Sequence, residues 1–255
     1  MRTRILTPRA ALAATFLLVA SAAAQPNPDV PARTHSGKVF AGKDPRLAPA
    51  YGPTQAKVIV LVFSDFQCPV CRRITDATPQ IAEEWPGEVR VEFRQLALAM
   101  HGNALNAAVA SLAAHRQGKF WPMHDLLFAH QDALDERSLA SYAEQAGCNP
   151  KQYAKDYADP ALRKRVADDV ALANTLAATA TPAFVVNGET SVGWGSWAAF
   201  RFLVEQERNA VNALLAKGTK PAEVAALRAK EHLKTPAAFK AYKAAVLDPL
   251  AKVGE

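Results

Sequence analysis

The sequence predicts an α/β fold: a sheet entered through one strand–helix–strand unit, with an inserted helical subdomain and a helical C-terminal tail. Three observations predict it. Lys57-Val58-Ile59-Val60-Leu61-Val62-Phe63 is a nearly unbroken β-branched and apolar run, suited to a central strand buried on both faces. Val89, Val91 and Phe93 alternate with Arg90, Glu92 and Arg94, the period of a second strand. Between these strands and the next strand pattern, at 181–186, helical periodicity recurs four times without interruption.

Taken in order, the chain begins with Arg2, Arg4 and Arg9, an apolar run from Ala10 to Ala20, and Ser21-Ala22-Ala23-Ala24. This is the layout of a secretory signal peptide over residues 1–24, cut after Ala24. The run is short for a spanning helix, which needs about 20 apolar residues; an uncleaved membrane anchor is the alternative. Residues 25–50, rich in Pro and Ala, read as an irregular lead-in. After the first strand a helix opens at Cys68-Pro69, where proline's missing N–H costs nothing. Cys71, Ile74, Thr78, Ile81 and Trp85 share one face of it, Pro79 is expected to kink it, and Pro86-Gly87 ends it.

The four helices of the insertion, at about 102–177, are marked in turn by their apolar faces. Leu105, Ala108, Val109 and Leu112 mark the first, and Phe120 to His130 is the second. Ser138 is the expected N-cap of the third, which holds Leu139, Tyr142, Ala143 and Ala146 on one face and ends at Gly147. The fourth runs from about Pro160 to Ala177. The sheet resumes at Thr181-Pro182-Ala183-Phe184-Val185-Val186, and Asn187-Gly188 signals a hairpin into a short strand near 190–192. A long helix from about Ser196 to Lys217 follows. Pro221 and Pro236 each open a short helix in the tail, residues 219–255.

Composition narrows the function. The net charge is +6, but three of those charges are the arginines of the N-terminal segment, and no basic stripe with interleaved aromatics argues for nucleic acid. Three cysteines are too few and too odd in number for a disulfide scaffold. Two of them are spaced C-x-x-C, and the second ligand pair of a structural zinc site is missing. The pair therefore reads as redox chemistry, with no metal and no cofactor called for.

That chemistry needs a thiolate, because a thiol hardly attacks a disulfide. Cys68 sits at the expected helix N-terminus, where free N–H groups and the helix dipole favour negative charge. Such placement can bring a cysteine from about 8.5 to between about 3.5 and 7.5. Cys71, one turn on and on the apolar face, is placed to close a disulfide with it. Cys68 is then the exposed attacking sulfur and Cys71 the buried resolving one. Arg72 and Arg73 add positive charge nearby. Two ordinary core cysteines or a structural disulfide are the competing account.

Three segments carry a resemblance. Val62-Phe63-Ser64-Asp65-Phe66-Gln67-Cys68-Pro69-Val70-Cys71 resembles the active-site segment of bacterial DsbA-like proteins of the thioredoxin fold. Gly118-Lys119-Phe120-Trp121-Pro122-Met123-His124-Asp125 is similar to a segment of their helical insert, and Thr181 to Gly188 resembles the segment carrying a cis-proline. The match spans roughly Pro53 to Gly218, in order, and leaves 219–255 outside. It implies a thioredoxin-like fold over 51–218 with a helical insertion, a cis Thr181–Pro182 bond beside the cysteines, and a substrate-binding role for Thr181 and Pro182. Val70 stands where the strongest oxidants of the family carry histidine, and Thr181 where thioredoxins carry an aliphatic residue and isomerase-type relatives carry threonine.

The expected function is an exported, periplasmic or secreted thiol–disulfide oxidoreductase. It would oxidise the thiols of unfolded exported proteins through a Cys68–Cys71 disulfide and be reoxidised by a membrane redox partner. Isomerase or reductase action is the near alternative, and Cu(I) carriage by the two thiolates the distant one. Cys148 reads as a small buried hydrophobe. Asp65 is placed to bond its local turn or to help move a proton. His124 and His130 join no metal pattern, and Phe120, Trp121 and Phe128 read as core of the insert.

Overall fold

In the computed structural model, the β-branched run forms β2, Val58–Ser64, with all seven residues buried. The structure describes residues 45–253; the expected signal peptide, its cut after Ala24 and most of the lead-in lie outside the described residues. β2 pairs in parallel with β3, Val89–Gln95, and antiparallel with β4, Ala183–Val186. β5, Glu189–Val192, pairs with β4 at one edge. At the other edge lies β1, Ala50–Tyr51, antiparallel to β3, where the sequence suggested only irregular chain. The sheet order is β1-β3-β2-β4-β5.

The helix expected after Cys68 is two helices, α1, Pro69–Arg73, and α2, Ala77–Glu84. The break falls before Pro79 rather than at it. Pro79 cannot donate to the Thr75 carbonyl, and its ring crowds that group. The chain therefore stops at Ile74 and restarts with Pro79 in the first turn of α2, where its missing N–H is harmless.

The insertion holds five helices, not four: α3, Ala104–Arg116; α4, Phe120–Ala129; α5, Glu136–Gln145; α6, Pro150–Tyr157; and α7, Pro160–Thr175. The overlooked α6 carries clear signals, an Asn149 cap accepting from the Gln152 amide and Pro150 in the first turn. The cap of α5 is Asp135, whose carboxylate accepts from the Arg137 and Ser138 amides; Ser138 lies inside the helix.

Two cores flank the sheet and a third fills the insert. Val58, Val60, Val62, Val89, Val91 and Phe184 face α2 and α8, Trp197–Ala216. Ile59, Leu61, Phe63, Ala183 and Val185 face α7 and the tail. The tail is α9, Pro221–His232, and α10, Pro236–Tyr242, which runs on through a π-turn, Lys243–Leu247, into α11, Asp248–Ala251. Its Ala229, Tyr242 and Val246 are fully buried against the sheet. The hairpin turn at Asn187-Gly188 has positive φ at both residues, as a two-residue turn of this kind requires. A side chain at Gly188 would meet the Ala229 backbone at 3.2 Å, so glycine there also admits the tail.

The charged residues of β3 are buried as well. Glu92 accepts from Arg90 Nε at 2.8 Å and from Arg94 at 2.6 Å, and Arg94 also reaches Asp169 of α7 and the Ala245 carbonyl of the tail. Burial pushes the Glu92 carboxyl up, but the Arg94 and Arg90 guanidiniums outweigh it and hold it below the usual range. The alternating strand is thus covered on both faces, its polar side neutralised internally.

Candidate active site

The parallel β2–β3 pair delivers Cys68 to the C-terminal end of β2, beyond the three-residue turn Asp65-Phe66-Gln67. Asp65 builds that turn: its carboxylate accepts from the Gln67 amide at 2.7 Å, the Leu98 amide at 2.8 Å, and lies 2.8 Å from His101 Nδ1. Of the two roles expected for Asp65, the turn-bonding one is the one these contacts describe. Cys68 is the N-cap of α1, with Pro69 in the first turn, and the Arg72 amide donates to its carbonyl.

No bond joins the two sulfurs. Cys68 is 6% exposed and Cys71 1%, so the expected exposed sulfur is nearly covered, though it remains the more accessible of the two. Both pack into the insert's core with Phe66, Phe93 and Phe128. Their acidities separate widely. The Cys68 thiol is held down to about 5, first by the hydrogen bond from the Cys71 thiol, against the opposing effect of burial, and further by Thr181 and the amides of Cys71 and Val70. Burial pushes the Cys71 thiol far up, and the neighbouring Cys68 sulfur adds to it. The helix behind Cys68 has five residues, so its stabilisation comes from the partner thiol and two local amides more than from a long dipole.

The cis-proline segment reaches the same point. The Thr181–Pro182 bond is cis, and Cys68 Sγ lies 3.6 Å from the Thr181 carbonyl oxygen, a contact across 113 residues of sequence. The Gly193 amide donates to the Pro182 carbonyl at 2.8 Å, closing the hairpin behind it. All four residues expected at the site, Cys68, Cys71, Thr181 and Pro182, therefore meet.

Cys148 is elsewhere, buried between α5 and α6 in the insert's core, where burial raises its thiol. His124 is buried among Phe66, Phe93, Phe120, Trp121 and Phe128, directly under the turn that precedes Cys68. His130 stacks on Tyr142. Among the described residues no group of three or more His, Cys, Asp or Glu side chains is placed to hold a metal ion. Supporting residues that the linear pattern did not reveal are His101, Gln67, whose side-chain carbonyl accepts from the Asn103 amide at 2.6 Å, and Gln131, treated below.

A strand-capping C-x-x-C against a cis-proline, on a sheet of this order with a helical insert, defines a thioredoxin-fold protein. A family model described as Thioredoxin matches residues 46–206. The chain belongs to this family. The structure is similar to that of a thioredoxin-like oxidoreductase from Silicibacter pomeroyi, with 29% identity, TM-score 0.59, and coverage of 65% of this chain and 94% of that one. It is also similar to BdbD from Bacillus subtilis, at 25% identity and TM-score 0.56, covering 64% of this chain and 93% of that one. A curated relative, Na(+)/H(+) antiporter NhaA 3 of Salinispora tropica, is 38% identical over 151 residues, which are 59% of this chain and 23% of the antiporter. The chain thus matches about a quarter of that relative's length, and the antiport its name describes belongs to that protein. No helix of the described residues is long and apolar enough to cross a membrane.

Proposed function

We propose that this chain is an exported oxidase of protein thiols in which Cys68 exchanges disulfides with substrate and Cys71 resolves or closes the pair. In the oxidised protein a substrate thiolate attacks Cys68 Sγ. The Cys68–Cys71 bond breaks, Cys71 leaves and takes up a proton, and a mixed disulfide joins Cys68 to the substrate. A second substrate thiolate then attacks the substrate sulfur of that bond and releases Cys68 as a thiolate. The substrate loses two electrons and gains a disulfide, and the protein is left as the dithiol, to be reoxidised by a membrane redox partner. Thr181 and Pro182 border the sulfur and offer backbone to an extended substrate segment. Export to the periplasm or beyond rests on the N-terminal segment.

The observation that carries this reading is the split between the two thiols, Cys68 low and Cys71 high. A low-pKa sulfur leaves quickly, which favours release of the oxidised substrate, and a stabilised thiolate favours the reduced protein, which makes the disulfide an oxidant. Thr181 before the cis-proline favours a second reading, disulfide isomerisation, on the resemblance to isomerase-type relatives. The assignment of roles is tested by trapping. With oxidised glutathione supplied as the oxidant, so that Cys68 is first loaded as a glutathione mixed disulfide and glutathione then leaves as a thiol, Cys71→Ser should accumulate mixed disulfides with a reduced model protein, joined through Cys68 by mass spectrometry, and Cys68→Ser should accumulate few. Complexes joined through Cys71 would reverse the roles.

A further inference from the structure

The turn that carries Cys68 is fastened almost wholly by the helical insert and the segment leading into it. Asp65 takes the Leu98 amide and the His101 ring, and Gln67 takes the Asn103 amide. Both of these act on residues before the cysteine. Gln131 reaches Cys68 itself. From the turn that follows α4, its side-chain nitrogen Nε2 donates to the Phe66 carbonyl at 2.7 Å and to the Cys68 carbonyl at 3.0 Å.

One amide nitrogen has two N–H groups, and here each is directed at a carbonyl of the same short turn. Such a fork fixes the two carbonyls relative to each other. It thereby holds the backbone at Cys68, whose extended conformation (φ −74°, ψ 119°) places the side chain at the start of α1. There the sulfur meets the amides of Val70 and Cys71 and the Cys71 thiol. The fork also matters electrostatically. A carbonyl oxygen is the negative end of its dipole, and an N–H set on it offsets that charge in a region where a thiolate must form. Gln131 is only half-buried, so little of its contribution is apolar packing.

We propose that Gln131 is a positioning residue for Cys68: by clamping the Phe66 and Cys68 carbonyls it holds the sulfur where its thiolate is stabilised, and so lets the insert set the oxidising strength of the pair. This rests on the reading of Cys68 as the attacking sulfur. The insert is in this respect part of the redox machinery, and Gln131 is the side chain by which it reaches the Cys68 carbonyl.

The test uses the full chain carrying Gln131→Met, which keeps the side-chain length and removes both donors, with Gln131→Ala as a second variant. Three quantities are read for each: the pH profile of Cys68 alkylation, the equilibrium with glutathione, and the urea unfolding of the reduced and oxidised forms. In the equilibrium, two glutathione thiols reduce the Cys68–Cys71 disulfide and leave as glutathione disulfide. Both variants should titrate Cys68 at higher pH, shift the equilibrium about two- to tenfold toward the protein disulfide, as loss of an ordinary hydrogen bond would, and destabilise the reduced form more than the oxidised. An unchanged pH profile and equilibrium constant, with both forms destabilised equally, would make Gln131 a scaffold residue and overturn the proposal. If Cys68 of the unmodified chain already titrates as an ordinary thiol, the parent reading fails, and it does so before any variant is compared.

Discussion

Acidifying the reduced protein should cost it stability that the oxidised protein keeps. In the folded chain the Cys68 thiol falls from an ordinary 9.0 to about 5. Between those values the unfolded state holds a proton on this sulfur that the folded state has released, so stability rises with pH across the window. The contribution is complete above pH 9 and gone below about pH 5. At pH 7 about half of it is present, roughly 2–3 kcal/mol at about 1.36 kcal/mol per pH unit. Cys71 adds no slope here, because burial keeps it a thiol throughout. The perturbation is a step from pH 7 to pH 4 under a phosphine reductant, read by urea unfolding of the protein and of Cys68→Ser. Every other titration is common to both, so the difference isolates Cys68. The unmodified reduced protein should lose about 2–3 kcal/mol more than Cys68→Ser. Parallel stability curves would refute the assignment of a stabilised thiolate to Cys68.

Two further outcomes follow from the rest of the molecule. Glu92→Gln leaves the Arg90 and Arg94 guanidiniums buried without their shared carboxylate; it should destabilise by about 3–5 kcal/mol in urea unfolding, and a loss below about 1 kcal/mol would show that the network is not a structural necessity. Removing the tail after Gly218 uncovers the sheet face of Ile59, Leu61 and Val185; the truncated chain should bind a hydrophobic dye and unfold well below the full chain, and a truncation with unchanged Tm would show that the tail is dispensable.

The parts of the fold that were legible in the sequence are those written in local periodicity. The apolar run at 57–63 suits a strand covered on both faces, and Val58–Ser64 is one. The C-x-x-C after that strand and the Asn187-Gly188 turn each sit where the linear pattern put them, and the cis Thr181–Pro182 step is as the resemblance implied. Other signals were present and misread. Asn149-Pro150 is a cap and first turn of the same kind as Asp159-Pro160, yet α6 is short and has few apolar residues to announce it. Ser138 looked like the cap because apolar periodicity starts after it, whereas Asp135, three residues earlier, makes the capping bonds. What was illegible is what depends on partners distant in sequence. The charged face of β3 looks solvent-exposed until α7 and the tail are laid over it. His101 and Gln131 reach the active-site turn across 36 and 63 residues, and no spacing rule connects them.

The account stands most directly on the equilibrium of the Cys68–Cys71 pair with glutathione, measured on the full chain at pH 7. A thiolate held as Cys68 is should make the disulfide a strong oxidant, with a reduction potential closer to about −120 mV than to about −270 mV. A potential near about −270 mV would contradict it, leaving a pair whose disulfide is too stable to be handed to a substrate.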